Sequence, residues 1–192
     1  MHKARLEAFS DGVLAIIITI MVLEMKVPHG TALHDLLPIW PVFLSYVISF
    51  VYLGIYWNNH HHLFQAVKHV QGRVLWANLH LLFWLSLMPF ATGWMGENHF
   101  AATTVALYGG ILLMAAVAYF ILVRTLLASH EAGSTLAKSI GNDFKGRVSV
   151  VIYAVGILLT CWLPAVAVTL YACVALMWLI PDRRIEKNLP AV

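Results

Sequence analysis

Long apolar runs separated by short polar breaks make up nearly the whole chain. Runs long enough to cross a membrane fall at about 5–25, 39–63, 74–95 and 103–127, and a last one extends over 148–180. A crossing helix needs roughly 20 apolar residues, with a range of about 17 to 25. Taken as one helix, the last run would be roughly 50 Å long at 1.5 Å per residue, too long for one crossing. Pro164 lies inside it, where it removes a backbone donor and disfavours helix at the preceding residue. The run therefore reads as a hairpin of two short spans, about 146–163 and 165–181. The pattern predicts an all-α integral membrane protein in which residues 1–192 form a single unit of six transmembrane helices.

Loop charge supports the same count independently. With the amino terminus inside, Lys26 alone of the 12 Lys and Arg falls outside, as the positive-inside rule demands. Five spans would carry Arg183, Arg184 and Lys187 outward, whereas six keep both termini cytoplasmic. Trp40, Trp94 and Trp162 are expected at the outer interface and Trp57, Trp76 and Trp178 at the inner one, with only Trp84 at mid-span.

Composition narrows the function classes. The chain is 61% apolar and 11% charged, against about half and about a quarter in soluble domains. Its mean hydropathy is +0.80, and with 192 residues almost wholly in spans no separate soluble domain is expected. The formal charge of +3 is spread over several loops, so it speaks of orientation and not of nucleic acid. Cys161 and Cys173 sit in apolar runs without C-x-x-C spacing and read as small buried hydrophobes. After Leu23 the chain continues EMKVPHG, with no small-x-small cleavage site, so the first run is expected to be a retained span.

The later spans carry no Asp, Glu or Lys in their central portions, and no TVGYG-like filter or re-entrant segment is visible. A secondary transporter of a cation or small solute is the alternative to a pore. Transporters usually keep an ionisable residue at mid-depth and broken helices near it, and neither signal is read here. The run His60, His61, His62, with His69 and His130, raises a metal or haem enzyme as a third reading. Successive helical residues point about 100° apart, so three in a row do not converge on one ion. No metal, no cofactor and no enzymatic activity are expected. The histidines read instead as interfacial or pH-sensitive groups.

The first span is unusual in starting with Arg5, Ser10 and Asp11. Beyond them, Gly12, Ile16, Thr19, Ile20 and Leu23 share one stripe by spacing of three and four, beside a second stripe of Asp11, Ala15, Ile18 and Val22. Ordinary helix packing explains such stripes as well as a pore wall does. Asp11 has two simple roles, favouring the helix dipole or reaching interfacial water. A third is a network, because the six-span topology brings Trp57, His60 and Asn78 to the same depth, where their donors can satisfy the carboxylate and hydroxyl.

Arg5-x-x-x-Phe9-Ser10-Asp11, followed by Gly12-Val13 and an isoleucine-rich run, resembles the R-x-x-x-F-S-D signature of the transmembrane protein 175 family. These are endosomal and lysosomal potassium channels and their prokaryotic relatives. Trp57-x-x-His60 before Leu63-Phe64, Asn78, and Pro89-Phe90 are similar to that family too, so the motifs cover roughly residues 5–95. The resemblance implies a prokaryotic single-repeat chain that assembles as a homotetramer in the plasma membrane, with the first helices around a central pore. It implies that Ile16 is the main constriction, that Thr19, Ile20 and Leu23 continue the pore wall, and that Phe9-Ser10-Asp11 lock span one to spans two and three. A hydrophobic ring of this kind gates by dewetting and separates ions by the water they must shed, so modest K⁺ over Na⁺ selectivity is expected without a carbonyl filter.

Overall fold

The computed structural model describes residues 3–67, 69–129 and 144–179. Lys68, His130, Lys138, Arg183, Arg184 and Lys187, which enter the orientation and metal readings, lie outside the described residues. Among those described, every regular element is a helix. They are α1 (Lys3–Leu23), a 3₁₀ helix (Leu33–Ile39), α2 (Trp40–Gln65), α3 (Gly72–Ser86), α4 (Met88–Glu97), α5 (Ala102–Ala128), α6 (Phe144–Leu159) and α7 (Pro164–Leu179). Four stretches, 3–23, 33–65, 72–97 and 102–128, are long and apolar enough to cross a membrane. Helices α6 and α7, 16 residues each, complete the six passes as an antiparallel hairpin.

The third pass departs from the single helix expected over about 74–95. It is broken at Leu87 into α3 and α4. Pro89 is the cause: it has no N–H to give and its ring crowds the carbonyl four residues back, so it is accommodated in the first turn of a new helix. The Leu87 N–H tightens onto the Trp84 carbonyl at 3.3 Å, and the Ala91 N–H restarts the ladder on Leu87 at 3.1 Å. A broken helix, unread in the sequence, therefore lies in the pass that faces α1.

The hairpin turn also falls earlier than expected, with α6 ending at Leu159 instead of about residue 163. Thr160, Trp162 and Leu163 close the turn by donating to carbonyls in the last turn of α6, and Pro164 then opens α7. At the other outer turn, α4 closes through the Phe100 N–H on the Met95 carbonyl at 2.9 Å. This places His99 and Phe100 in the left-handed region, at φ 49° and 60°.

Close approach of helices holds the outer part of the bundle together. A Cβ on Gly96 would meet the Val42 Cα at 2.6 Å, so α4 lies directly on the α2 backbone. Tyr171 of α7 is seated between Gly109 of α5 and Gly156 of α6. Its ring joins Tyr108 and Tyr153 in a buried aromatic group, while its backbone carbonyl accepts from the Tyr52 hydroxyl. Helix α5 is the central element, packed against α3, α4, α6 and α7. Helix α1 instead packs chiefly against α2, α3 and α4 among the described residues.

Candidate functional site

Helix α1 buries Leu6, Ser10, Leu14, Ile17 and Met21, whose spacings of four, four, three and four trace one stripe. Ser10 is the polar member of that stripe and is fully buried. Its Oγ donates back to the Leu6 carbonyl at 2.9 Å and accepts from the Asn78 amide, also at 2.9 Å. Asn78 in turn accepts from His60 Nε2 at 2.8 Å. His60, Asn78 and Ser10 thus form a buried line of donors from α2 through α3 to α1, ending on a carbonyl. Each polar group in the line has a partner, so burial costs little and the three helices are held in one register.

Asp11 sits one residue round the helix and belongs to a different arm. Its Oδ1 accepts from Trp57 Nε1 at 3.1 Å, and both side chains are exposed in the single chain. The structure therefore divides the sequence-derived network into a buried arm (His60, Asn78, Ser10) and an exposed arm (Trp57, Asp11). Arg5 joins neither among the described residues; it is exposed, as is Phe9 at 53%. Of the three roles open to Asp11 in the sequence, the single chain shows an exposed carboxylate bonded to Trp57 and not a buried one. Being one position from Ser10, Asp11 is turned about 100° away from the helix–helix seam.

The histidine run splits in the same manner. His60 faces Asn78, His61 stacks on Trp57 and bonds Gln65, and His62 has a buried Nδ1 without a partner among the described residues. They do not converge, and no group of three potential metal ligands occurs among the described residues.

The opposite face of α1 is uncovered. Ile16 is 57% exposed, Ile20 42% and Leu23 78%, and Thr19 and Gly12 share that face. The Thr19 hydroxyl is turned back onto its own helix, 3.0 Å from the Ala15 carbonyl and 2.9 Å from that of Ile16. It thus presents its methyl group outward and leaves the face apolar. A groove of about 560 Å³ runs alongside, between α1 and α4, with Ile16, Ile20, Phe90 and Trp94 among its walls.

Two features of the site were not singled out in the sequence. Ser49 contacts the hydroxyls of Thr92 at 2.7 Å and Tyr108 at 2.9 Å, and Ser45 donates to the Thr92 carbonyl at 3.1 Å. This second buried polar seam joins α2, α4 and α5, and the four-residue spacing of Ser45 and Ser49 is its only visible trace. The other lies at the outer end of α1. Lys26 Nζ donates to Glu97 Oε1 at 2.7 Å, with Glu24 close by over Gly93. That pairing holds the Lys26 pKa above its ordinary value, chiefly through the hydrogen bond to Glu97.

The chain is similar to known proteins in sequence and in fold. The family model described as endosomal/lysosomal potassium channel TMEM175 matches residues 5–89, which include the α1 signature together with Trp57, His60 and Asn78. A potassium channel of a Chryseobacterium species is 58% identical over 189 residues, 98% of each chain. A potassium channel of Streptomyces collinus is 37% identical over 129 residues, covering 62% of this chain and 61% of that one. Among solved structures, a lysosomal potassium-selective channel TMEM175 homolog from Chamaesiphon minutus superposes with a TM-score of 0.79 at 28% identity, over 95% of this chain and 97% of that one. The matched region, the near-complete relative and the shared helical arrangement together make this multi-pass membrane protein a member of the TMEM175 potassium channel family.

Proposed function

We propose that the chain, as one six-helix subunit of 192 residues, forms a potassium-permeable cation channel in the plasma membrane of its cell. The relatives named as potassium channels support the ion. The single observation that carries the mechanism is the two-sidedness of α1. One stripe is locked to α2, α3 and α4, while Ile16, Thr19, Ile20 and Leu23 remain uncovered on a face that is apolar yet supported by a rigid scaffold.

In this reading four chains pool those faces around an axis, and the groove between α1 and α4 receives a neighbouring subunit. Ile16 is the constriction, and Thr19, Ile20 and Leu23 carry the wall outward. An apolar ring offers an ion nothing in exchange for its water, so the ion whose hydration is weaker passes more readily. K⁺ is therefore favoured over Na⁺, modestly, without a carbonyl cage. The channel takes no cofactor; monovalent cations are what passes. Within the subunit, Ser10 with Asn78 and His60, and Asp11 with Trp57, act as a structural brace that keeps the pore helix at fixed depth and rotation; Arg5 and Phe9, exposed on the single chain, join it only across the contact with a neighbouring subunit.

Recording from purified protein in liposomes under bi-ionic K⁺/Na⁺ conditions tests this. Unitary currents with a reversal potential favouring K⁺ are expected, and Ile16→Asn should raise conductance and flatten selectivity. Saturable, coupled flux without unitary currents would establish the secondary transporter instead.

A further inference from the structure

We propose that the chain holds an acyl chain of an anionic phospholipid from the inner leaflet in a cavity between α2, α5, α6 and α7, remote from α1. The cavity measures about 420 Å³, within the size range of small-molecule sites. Ile55, Ala116, Phe120 and Val150 form its apolar walls, and Asn59 and Arg147 lie toward one end.

Around Tyr52, Tyr153, Ser149 and Trp178 the polar groups of the cavity are already satisfied, while the Tyr56 hydroxyl, also on its lining, has no hydrogen bond among the described residues. Tyr52 donates to the Tyr171 carbonyl and Tyr153 donates to the Tyr52 hydroxyl at 3.3 Å. Trp178 Nε1 donates to Ser149 Oγ at 2.9 Å, and Ser149 donates to the Lys145 carbonyl at 2.8 Å. An occupant of this part is therefore asked for no hydrogen bonds, which fits an alkyl chain and not a polar solute. Left empty, walls of this extent would forfeit their dispersion contacts. In a bilayer the material at hand to fill them is a lipid tail.

The charge at the other end selects the headgroup. The cavity lies where α2, α5 and α7 end and α6 begins, the end that carries Lys3, Arg5, Arg73, Arg124, Lys145 and Arg147. This is the inner side by the positive-inside rule. Arg147 is exposed on the cavity wall and makes no ion pair among the described residues. Arg124 lies over the Phe120 ring at 5.9 Å and Lys145 over the Trp178 ring at 5.8 Å, so two further cations stand beside residues that line the cavity. A basic pocket between spans on the cytoplasmic side suits an anionic headgroup, with Arg147 as the donor to its phosphate.

Native mass spectrometry of the purified protein, exchanged into micelles containing equal phosphatidylglycerol and phosphatidylcholine, tests the proposal by counting retained lipids. Wild type should retain phosphatidylglycerol over phosphatidylcholine by about fivefold, the preference one arginine supplies near an anionic surface. Arg147→Gln should lose most of the preference, leaving what Arg124 and Lys145 supply, and Arg147→Lys should keep most of it. Ala116→Phe and Val150→Phe, which fill the cavity, should reduce retention of both lipids, with oligomer and helix content checked by size exclusion and circular dichroism. Equal retention of the two lipids by wild type would overturn the headgroup assignment. Undiminished retention by both well-folded cavity-filling variants, or no retained lipid in wild type, would overturn the site.

Discussion

Ser10, Asn78 and His60 show how three polar side chains become an asset inside an apolar bundle. Each is buried and each donates a hydrogen bond onward, so removing the middle member orphans the His60 Nε2–H and leaves Ser10 only its bond to the Leu6 carbonyl. Asn78→Ala should destabilise the protein by about 1–3 kcal/mol per orphaned group, read from a denaturant or thermal unfolding midpoint. Trp57→Phe removes a bond of similar length, but between exposed partners that water can replace. Its cost should stay under about 1 kcal/mol in the same assay. If the two variants proved equal, burial would not be what gives the inner arm its strength. In the proposed tetramer, Asp11→Ala should act at a different level, lowering the yield of tetramers on size exclusion while leaving the K⁺/Na⁺ permeability ratio of the surviving channels unchanged. Intact tetramers with altered selectivity would move Asp11 from the brace to the pore.

Among the helices, the hairpin of α6 and α7 depends on one aromatic ring fitted against two glycines. A Cβ on Gly109 would fall 2.0 Å from the Tyr171 hydroxyl oxygen and 2.5 Å from the ring carbon bearing it. Gly109→Ala should therefore cost about 1–3 kcal/mol as an overpacking change. The Tyr171 hydroxyl is itself buried without a hydrogen-bond partner among the described residues. Tyr171→Phe should consequently be neutral or slightly stabilising, since it deletes an unsatisfied group. Combined with Gly109→Ala it should recover part of the loss but not all, because the ring carbon still clashes. Strict additivity in that double-mutant cycle would mean that the two helices move apart instead of pressing on this contact.

At the scale of the whole molecule, basic side chains among the described residues gather at one end of the bundle and Lys26 stands at the other. At the outer end Lys26 is bound to Glu97, and both are well exposed. A raised Lys26 pKa means that its contribution to stability is present at neutral pH and is lost only as pH rises through that raised value, above 10.5. Lys26→Met should then leave the unfolding midpoint at pH 7 unmoved, as surface pairs usually do. With α1 lining the pore as proposed, it should nonetheless alter conduction, by freeing Glu97 beside Glu24 at the outer end of that helix. The expected result is a larger inward cation conductance at low ionic strength that converges on wild type in molar salt, where the Debye length is about 3 Å. A salt-independent difference would point to a steric origin.

Membrane insertion and the number of passes were legible in the chain alone, because the length and polarity of each run are local quantities that the bilayer tests one segment at a time. The brace residues were legible as well, since a serine and an aspartate at the head of an apolar helix stand out without any structure. Their pairing was not. Which of Ser10 and Asp11 enters the seam depends on a rotation of one residue, and α1 carries apolar side chains on every face, so no stripe announces itself as the buried one. The break at Leu87 was hidden for a related reason. A proline near the end of a long apolar run is compatible with a straight helix cap or a restart, and only packing against α1 and α2 decides between them. The seating of Tyr171 between Gly109 and Gly156, and the cavity beneath Arg147, join residues far apart in the chain. The sequence by itself determined what crosses the membrane and on which side the charges rest; tertiary contact alone decided which face of α1 is held and which is left open, because that choice is made by the neighbours' shapes and not by the helix's own composition.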